Sequence, residues 1–284
     1  MKTYRNKIKY LLFFLVMTVT WHNAFAVKEV LANSCISGGV KSDWNITVKK
    51  EKNTRLMSYN IRNARGLDEI TNYDRIAGII GRVNPDVIAI QELDSVTNRS
   101  KGADVLNILA QKMGLIAIYA ASIEYDGGKY GIGILSKEKP LSVKRIHLPG
   151  SEEKRMLLIV EFKNFYFGNT HFSLNTEDRL ESVKIINREV KKLNPEKPFI
   201  LAGDMNATPE SEVQKSINTV FTSFLSPMEY TIPADNPDRC IDYIYGYHGF
   251  DKWIRLTGSG VIAEKNASDH RPLYADFEII SEEQ

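Results

Sequence analysis

The feature that most constrains the fold of this chain is a series of short polar motifs, each at the end of an apolar run rich in β-branched residues. The motifs are SYNIR at 58–62, QELD at 91–94, GNTHF at 168–172, GDMN at 203–206, IDYI at 241–244 and SDHRP at 268–272. Polar residues at strand ends are held rigidly and still reach a cleft. A single site that draws on both ends of the chain favours one large domain.

The residue types in these motifs indicate metal-assisted chemistry. Carboxylate and amide oxygens are the ligands that a hard cation such as Mg²⁺ prefers, and two histidines suit charge stabilisation or proton transfer. Together they predict metal-assisted hydrolysis of a phosphoester. The eight residues are Asn60, Glu92, His171, Asp204, Asn206, Asp242, Asp269 and His270.

In this order, the motifs resemble those of the endonuclease/exonuclease/phosphatase superfamily, over roughly residues 54–280. That superfamily includes deoxyribonucleases, AP endonucleases, bacterial sphingomyelinases, inositol polyphosphate 5-phosphatases and deadenylases. The resemblance implies an α+β fold, a four-layer α/β/β/α sandwich in which two packed mixed β-sheets are flanked by helices. The site would lie at one rim of the sheets.

The resemblance also implies a bound divalent cation. Mg²⁺ is the expected ion, with Mn²⁺ or Ca²⁺ as alternatives, and its ligands would be Asn60, Glu92 and Asp269. An asparagine or glutamate at a strand end is otherwise an ordinary turn or surface residue. The other motifs therefore favour the ligand interpretation.

The remaining motif residues would carry out the reaction. In extended backbone, Asp204 and Asn206 point to the same side. The resemblance implies that Asp204 orients or deprotonates the attacking water, that Asn206 and His171 contact the phosphoryl group, and that His270 pairs with Asp242. An Asx turn at Asp204 is the structural alternative, and the general base stays open between Asp204 and His270. A histidine at 171 argues against AP endonucleases, which usually have tyrosine there.

Three further residues are candidates for binding the substrate. Arg155 begins a strand after an acidic loop, and its guanidinium suits a phosphate. Tyr130 lies in a glycine-rich run, and Arg62 shares the side of Asn60. Each of the three is equally compatible with a structural role.

The N-terminal region is typical of a secretory signal. The first nine residues carry four positive charges and no acid, residues 10–20 are apolar, and Ala-Phe-Ala at 24–26 fits a cleavage site. We expect a signal peptide over 1–26, an arm over 27–53 and a single domain over 54–284. The protein would then be exported, periplasmic or secreted, with no transmembrane span after cleavage. An uncleaved anchor or a lipoprotein acylated at Cys35 is the alternative.

The net charge of the chain bears on which class of substrate it would bind. Removing the four positive charges of the signal changes the formal net charge from +2 to about −2. Nucleic-acid-binding proteins usually have a basic excess. We therefore expect a monomeric phosphodiesterase that acts on a small-molecule or lipid-headgroup phosphodiester. A deoxyribonuclease-like endonuclease, a phosphomonoesterase and an inactive binding protein are the alternatives.

The two cysteines, Cys35 and Cys240, allow one disulfide in an exported protein, and a buried free Cys240 is the alternative.

Hydrophobic periodicity predicts three helices, Tyr73–Val83, Ala103–Met113 and Thr176–Leu193, the last capped by Thr176. Thr208 and Pro209 indicate the start of a fourth helix. The predicted strands are Arg55–Ile61, Asp86–Leu93, Leu115–Ser122, Gly131–Ser136, Arg155–Phe162, Phe165–Phe172, Phe199–Met205, Ile241–Tyr247, Trp253–Leu256 and Tyr274–Ile279.

Overall fold

Within residues 53–280, which the computed structural model describes, the chain forms twelve strands and four α-helices. The strands are β1 (Asn53–Asn60), β2 (Val87–Ser95), β3 (Ile116–Tyr125), β4 (Gly128–Ser136), β5 (Ser142–Leu148), β6 (Arg155–Glu161), β7 (Tyr166–His171), β8 (Phe199–Asp204), β9 (Phe221–Ser223), β10 (Asp242–Tyr247), β11 (Ile254–Val261) and β12 (Leu273–Ile279). The helices are α1 (Tyr73–Val83), α2 (Val105–Met113), α3 (Thr176–Val190) and α4 (Glu212–Ile217), and short 3₁₀ turns lie at Arg62–Ala64 and Phe250–Lys252.

The strands form two mixed six-stranded sheets. The first sheet has the order β11-β12-β1-β2-β4-β3 and the second has the order β5-β6-β7-β8-β10-β9. In each sheet one central pair is parallel, β1 with β2 and β7 with β8, and the other pairs are antiparallel. A parallel pair needs a crossover, and α1 and α3 lie in those two connections.

Three apolar clusters hold these elements in four layers. Between the sheets, side chains such as Leu56 and Phe167 pack together. On the outer face of the first sheet, Met57 packs with residues of α1 and α2. On the outer face of the second sheet, Leu201 packs with residues of α3 and α4. Successive residues of a strand face opposite layers, so the central strands are apolar on both faces. The predicted α/β/β/α sandwich is confirmed.

The topology brings the motifs to one rim of the sandwich. The parallel strands of each sheet end there, and the antiparallel strands β10 and β12 begin there. Residue 204 pairs with residue 171 on one side and with residue 242 on the other. The motif residues at this rim are Asn60, Glu92, His171, Asp204, Asp242, Asp269 and His270.

Four local predictions were wrong or incomplete. Asn175 caps α3, because its side chain accepts from the amides of residues 177 and 178, and Thr176 is the first helical residue. The fourth helix begins only at Glu212, because Ser211 accepts from the amide of Gln214, and Pro209 lies in the turn before it. Strands β5 and β9 were not predicted.

Several predictions fall outside the described residues. The signal peptide, almost all of the 27–53 arm and Cys35 lie there, so the domain boundaries stay predictions. Cys240 is a buried thiol whose Sγ lies 3.3 Å from the carbonyl oxygen of Asp242, and burial raises its pKa to about 12. A bridge to Cys35 also stays a prediction. In the part of the chain that is described, no helix is long and apolar enough to cross a bilayer.

Candidate active site

Residues from both sheets form one hydrogen-bonded cluster at the rim. Asn60, at the end of β1, lies with its Nδ2 2.9 Å from Oε1 of Glu92 and 3.1 Å from Oδ2 of Asp204. The same Nδ2 lies 3.5 Å from Nε2 of His270. Asn60 is buried, and its Oδ1 accepts from the backbone amide of Arg62 at 3.1 Å. One amide therefore links residues of both sheets.

Glu92 reaches this cluster because the backbone of β2 is irregular there. The register with β4 shifts between Ile90 and Leu93, and Glu92 has φ 59°. A bulge re-aims a side chain, and a left-handed conformation is costly for a residue with a Cβ. Asn206 is also left-handed, with φ 47°. Arg62 is left-handed as well, with φ 46°, so three residues of the predicted site have left-handed backbone.

The electrostatics of Glu92 fit a bound cation. Burial raises the pKa of this carboxyl, and the nearby charges of Asp269 and Asp204 raise it further, against the lowering effects of Asn60 and His270. Asp269 is half-buried, and its Oδ2 lies 4.0 Å from Nε of Arg62. Glu92, Asn60 and Asp269 thus offer an oxygen-rich donor set with excess negative charge, which is the chemistry that a divalent cation satisfies.

A second group could also hold a metal ion. Ligand atoms of Asp204, Asp242 and His270 all lie within 4.8 Å of one another. In this group, however, Nδ1 of His270 and Oδ2 of Asp242 already pair with each other at 2.9 Å. The first set offers oxygen ligands alone, which a hard cation prefers, but Oδ1 of Asn60 already accepts from the backbone amide of Arg62, so the Asn60 amide would have to turn to bind a metal.

His270 is part of a buried histidine–aspartate pair. Asp242 Oδ2 also accepts from the hydroxyl of Thr231 at 2.6 Å, which fixes the carboxylate. Burial alone would lower the pKa of His270, but the charge and hydrogen bond of Asp242, with Asp204 and Asp269 nearby, raise it to about 10. His270 is therefore an imidazolium at neutral pH in this arrangement.

Asp204 lies between the two histidines of the site. Its Oδ2 is 3.5 Å from Nε2 of His171 and 3.7 Å from Nε2 of His270. Its Oδ1 accepts from the backbone amide of Asn206 at 2.9 Å, so the Asx turn is present as well. Nδ2 of Asn206 donates to the carbonyl of Phe172 at 2.9 Å. Asp204 is buried and has hydrogen-bond donors on both oxygens.

The second histidine, His171, has the opposite electrostatic character. Its Nδ1 lies 3.3 Å from Nη1 of Arg155. Burial lowers its pKa to about 4 against the raising effect of Asp204, and the charges of Arg155 and His270 lower it further. His171 is therefore neutral at neutral pH, so the two histidines beside Asp204 differ in charge.

Comparison with known proteins places this site in a family. A family model described as the Endonuclease/Exonuclease/phosphatase family matches residues 57–270. The chain belongs to this family. Its members hydrolyse phosphoesters, and the chain is an enzyme of that class. The region matched contains all eight predicted metal-binding and catalytic residues, from Asn60 to His270.

Individual members of the family are only distantly similar to the chain. The Drosophila melanogaster protein named Recombination repair protein 1 is 25% identical over 177 residues, which are 59% of this chain and 24% of that protein. The chain therefore spans about a quarter of the length of this curated relative. An endonuclease/exonuclease/phosphatase structure from Bacteroides vulgatus has a TM-score of 0.69 at 20% identity and covers 81% of this chain and 100% of that one. A mannosyl-6-phosphatase from Bacteroides thetaiotaomicron has a TM-score of 0.64 at 18% identity, with coverages of 80% and 100%. These structures show the shared sandwich fold.

The three candidate substrate-binding residues of this family member lie around the cluster. Arg62 is half-exposed and pairs with Glu69 at 3.0 Å. Tyr130 is half-buried, and the guanidinium of Arg99 lies 5.5 Å from its ring centroid. Arg155 is buried and contacts His171 directly.

Sequence reasoning missed two features of the site. Thr231 lies outside every motif, so only the folded chain shows that it holds Asp242. Asn169 and Gln91 lie inside GNTHF and QELD, and Nε2 of Gln91 donates to Oδ1 of Asn169 across the two sheets at 2.8 Å. Their positions within two motifs were the signal that could have found them.

Proposed function

We propose that this protein is an exported, Mg²⁺-dependent phosphodiesterase that cleaves a small-molecule or lipid-headgroup phosphodiester by in-line attack of water. The observation that carries the proposal is the rim cluster, in which Asn60 lies within hydrogen-bonding distance of both Glu92 and Asp204. The residues that fit a metal and those that fit proton transfer therefore share one site.

Glu92, Asn60 and Asp269 would hold the cation. When bound, Mg²⁺ supplies charge that stabilises the negative charge developing on the scissile phosphate. Mn²⁺ and Ca²⁺ prefer the same oxygen ligands. In the absence of a cation, the nearby negative charge of Asp269 raises the cost of ionising Glu92, because the two groups carry like charge.

Asp204 would orient the attacking water, since it is buried and fixed by donors from Asn60 and Asn206. His270, held by Asp242, would exchange a proton with the reacting groups. His171 and Asn206 would donate hydrogen bonds to the phosphoryl oxygens. The site thus combines positioning with charge stabilisation, the two contributions that phosphoryl transfer needs most.

The surroundings of the cluster favour a small substrate over duplex DNA. Arg62 pairs with Glu69, Arg99 with Asp94, and Arg155 with Glu153. The phosphates of a nucleic acid would have to compete with these carboxylates for each arginine. The expected net charge of the mature chain is also slightly negative, as derived from the sequence.

Export is proposed from the N-terminal sequence alone. The four positive charges, the apolar run and the Ala-Phe-Ala site are the features of a cleaved secretory signal. An exported hydrolase would act in the periplasm or outside the cell.

The proposal is tested by hydrolysis assays with the purified protein, in Mg²⁺ and in EDTA. The substrates are bis-p-nitrophenyl phosphate, p-nitrophenylphosphorylcholine, p-nitrophenyl phosphate, mannose 6-phosphate and plasmid DNA. The two phosphomonoesters are included because one structural neighbour is named a mannosyl-6-phosphatase. We expect Mg²⁺-dependent turnover of the small diesters that is lost in Asp204→Ala. Preferred cleavage of plasmid or of the monoesters would reject the substrate assignment, and metal-independent turnover would reject the mechanism.

A further inference from the structure

The two histidines beside Asp204 use the same ring nitrogen, Nδ1, to contact fixed partners of opposite charge. His171 faces Asp204 with Nε2 at 3.5 Å and contacts Arg155 with Nδ1 at 3.3 Å. His270 faces Asp204 with Nε2 at 3.7 Å and contacts Asp242 with Nδ1 at 2.9 Å. His171 therefore contacts a cation, whereas His270 contacts an anion.

This difference determines where each ring carries a proton. A guanidinium has five N–H donors and no acceptor, so the contact from Nη1 of Arg155 requires a lone pair on Nδ1 of His171. The proton of the neutral His171 ring is then on Nε2, which faces Asp204. A carboxylate is an acceptor, so Asp242 requires a proton on Nδ1 of His270.

Arg155 is itself held in place by carboxylates. It is buried at the start of β6, with Nη1 3.1 Å from Oε1 of Glu153 and Nη2 3.5 Å from Oε1 of Glu152. Glu152 in turn accepts from the hydroxyl of Ser173 at 2.8 Å and from the backbone amide of Leu174 at 2.8 Å. Both terminal nitrogens of the guanidinium therefore have partners within the protein.

We propose that Arg155 is a positioning residue that fixes His171 as the neutral Nε2–H tautomer. His171 then donates a hydrogen bond into the cleft and does not accept a proton there. That the acceptor of this hydrogen bond is a phosphoryl oxygen rests on the proposed function. The lowered pKa of His171 agrees with this assignment, since burial and the adjacent Arg155 both oppose the charged ring.

This role is an alternative to the substrate-binding role that the sequence suggested for Arg155, which stays a prediction. A guanidinium that binds a phosphate needs open N–H groups at the cleft. Here Arg155 is buried and its terminal nitrogens face His171, Glu152 and Glu153, while its buried Nε has no hydrogen-bond partner among the described residues. Its effect on the reaction would pass through His171, in the way that outer partners orient the ligands of a metal site.

The direct test is long-range ¹H–¹⁵N correlation of the imidazole rings in purified protein labelled with ¹⁵N-histidine. The chain contains five histidines, and the spectrum of His171→Gln assigns the signals of residue 171. We expect the pattern of a ring protonated at Nε2 and not at Nδ1. A ring protonated at Nδ1, or at both nitrogens at neutral pH, would overturn the proposal. This readout needs no substrate, so it stands apart from the proposed function.

Substitutions then test whether Arg155 is the cause. Arg155→Met removes every donor, and we expect a mixture of tautomers and a fall in kcat of about 10–100-fold with a smaller change in KM. Arg155→Lys keeps a donor-only cation and should retain the Nε2–H tautomer and most of kcat. Arg188→Met, at an exposed position on α3, is the matched control and should change neither.

Two outcomes of these substitutions would contradict the proposal. The first is a loss of kcat in Arg155→Met with the tautomer of His171 unchanged, because Arg155 would then act by another route. The second is a mixture of tautomers in Arg155→Lys with full activity. If Arg155→Met does not fold, the wild-type spectrum and the Arg155→Lys variant still decide the question.

Discussion

Asp242 controls the charge of His270, because it is the fixed acceptor behind that ring. Its Oδ2 receives both the Thr231 hydroxyl at 2.6 Å and Nδ1 of His270 at 2.9 Å. Replacing Asp242 with the isosteric asparagine therefore keeps the geometry of these contacts but removes the negative charge.

We predict that Asp242→Asn lowers kcat by about 100-fold or more with little change in KM, because an amide neither fixes the tautomer nor stabilises the charged ring. The measurement is steady-state hydrolysis of a p-nitrophenyl diester. Asp238→Asn, at an exposed side chain just before β10, is the control and should leave kcat within twofold. Equal losses of activity and of thermal stability in Asp242→Asn would point to a folding defect instead.

A second prediction at the scale of single residues concerns the thermal stability of a Glu92 variant with and without metal. Burial and the nearby Asp269 and Asp204 disfavour the charge of Glu92 when no cation is bound. In EDTA, we therefore expect Glu92→Gln to melt at the same temperature as the wild type or higher. In Mg²⁺ the order should reverse, since an ion at 100 times its Kd adds about 2.7 kcal/mol to the stability of the protein that binds it.

Thermal melts of both proteins in EDTA and in rising Mg²⁺ check this expectation. Glu124→Gln removes an equal charge from an exposed side chain and should respond to Mg²⁺ like the wild type. A full Mg²⁺ response in Glu92→Gln would remove Glu92 from the set of ligands.

At the scale of elements, the rim depends on how closely β7 and β8 approach each other. Gly203, the first residue of GDMN, has φ +148°, and a Cβ there would lie 1.9 Å from the carbonyl oxygen of Thr170. The oxygen belongs to backbone, so it cannot move aside alone. This close approach allows His171 and Asp204 to be neighbours in register.

We predict that Gly203→Ala lowers the free energy of unfolding by about 3 kcal/mol or more, because it adds a backbone clash to a conformation that disfavours a side chain. Urea denaturation measures it. Gly81→Ala in α1 is the matched control, since a Cβ there meets nothing within 4 Å. That change should raise stability by up to about 1 kcal/mol. Similar stabilities for the two variants would contradict the clash.

The elements that the sequence predicted and those that it missed differ in their physical signal. The central strands are buried on both faces, so their apolar runs were visible. Strand β5 lies at a sheet edge, and its exposed residues include Lys144 and Arg145. Strand β9 has only three residues. Neither strand therefore shows a clear alternation of apolar and polar residues. At α4, both Thr208 and Ser211 are plausible caps, and only the hydrogen bond from Gln214 decides between them.

At the scale of the whole molecule, the site exists only because the two sheets pack in one register. Asn60 and Glu92 belong to the first sheet, and His270 lies just before its strand β12, whereas His171, Asp204 and Asp242 belong to the second sheet. The motif residues themselves were predictable, since each follows or precedes an apolar run. The hydrogen bonds among these residues were not predictable, because every bond between the two sheets joins residues that are distant in sequence.

Asn169 is a buried link that sets this register. From β7 of the second sheet, its Nδ2 donates to the carbonyls of Ile90 at 3.0 Å and Gly133 at 2.7 Å in the first sheet. Its Oδ1 accepts from Gln91. Each of these groups is buried, so each needs its partner.

We predict that Asn169→Asp lowers the free energy of unfolding by about 3 kcal/mol or more, because it replaces the donor to two buried carbonyls with a buried acceptor. Asn194→Asp is the control, since that exposed residue uses only its acceptor oxygen, toward the amide of Glu196. Denaturation midpoints give the stability, and kcat is measured where Asn169→Asp is still fully folded. We expect kcat to fall there as well, since Asn60 and Asp204 approach each other only across this interface. A destabilised Asn169→Asp protein with wild-type kcat would show that the interface contributes stability without setting the geometry of the site.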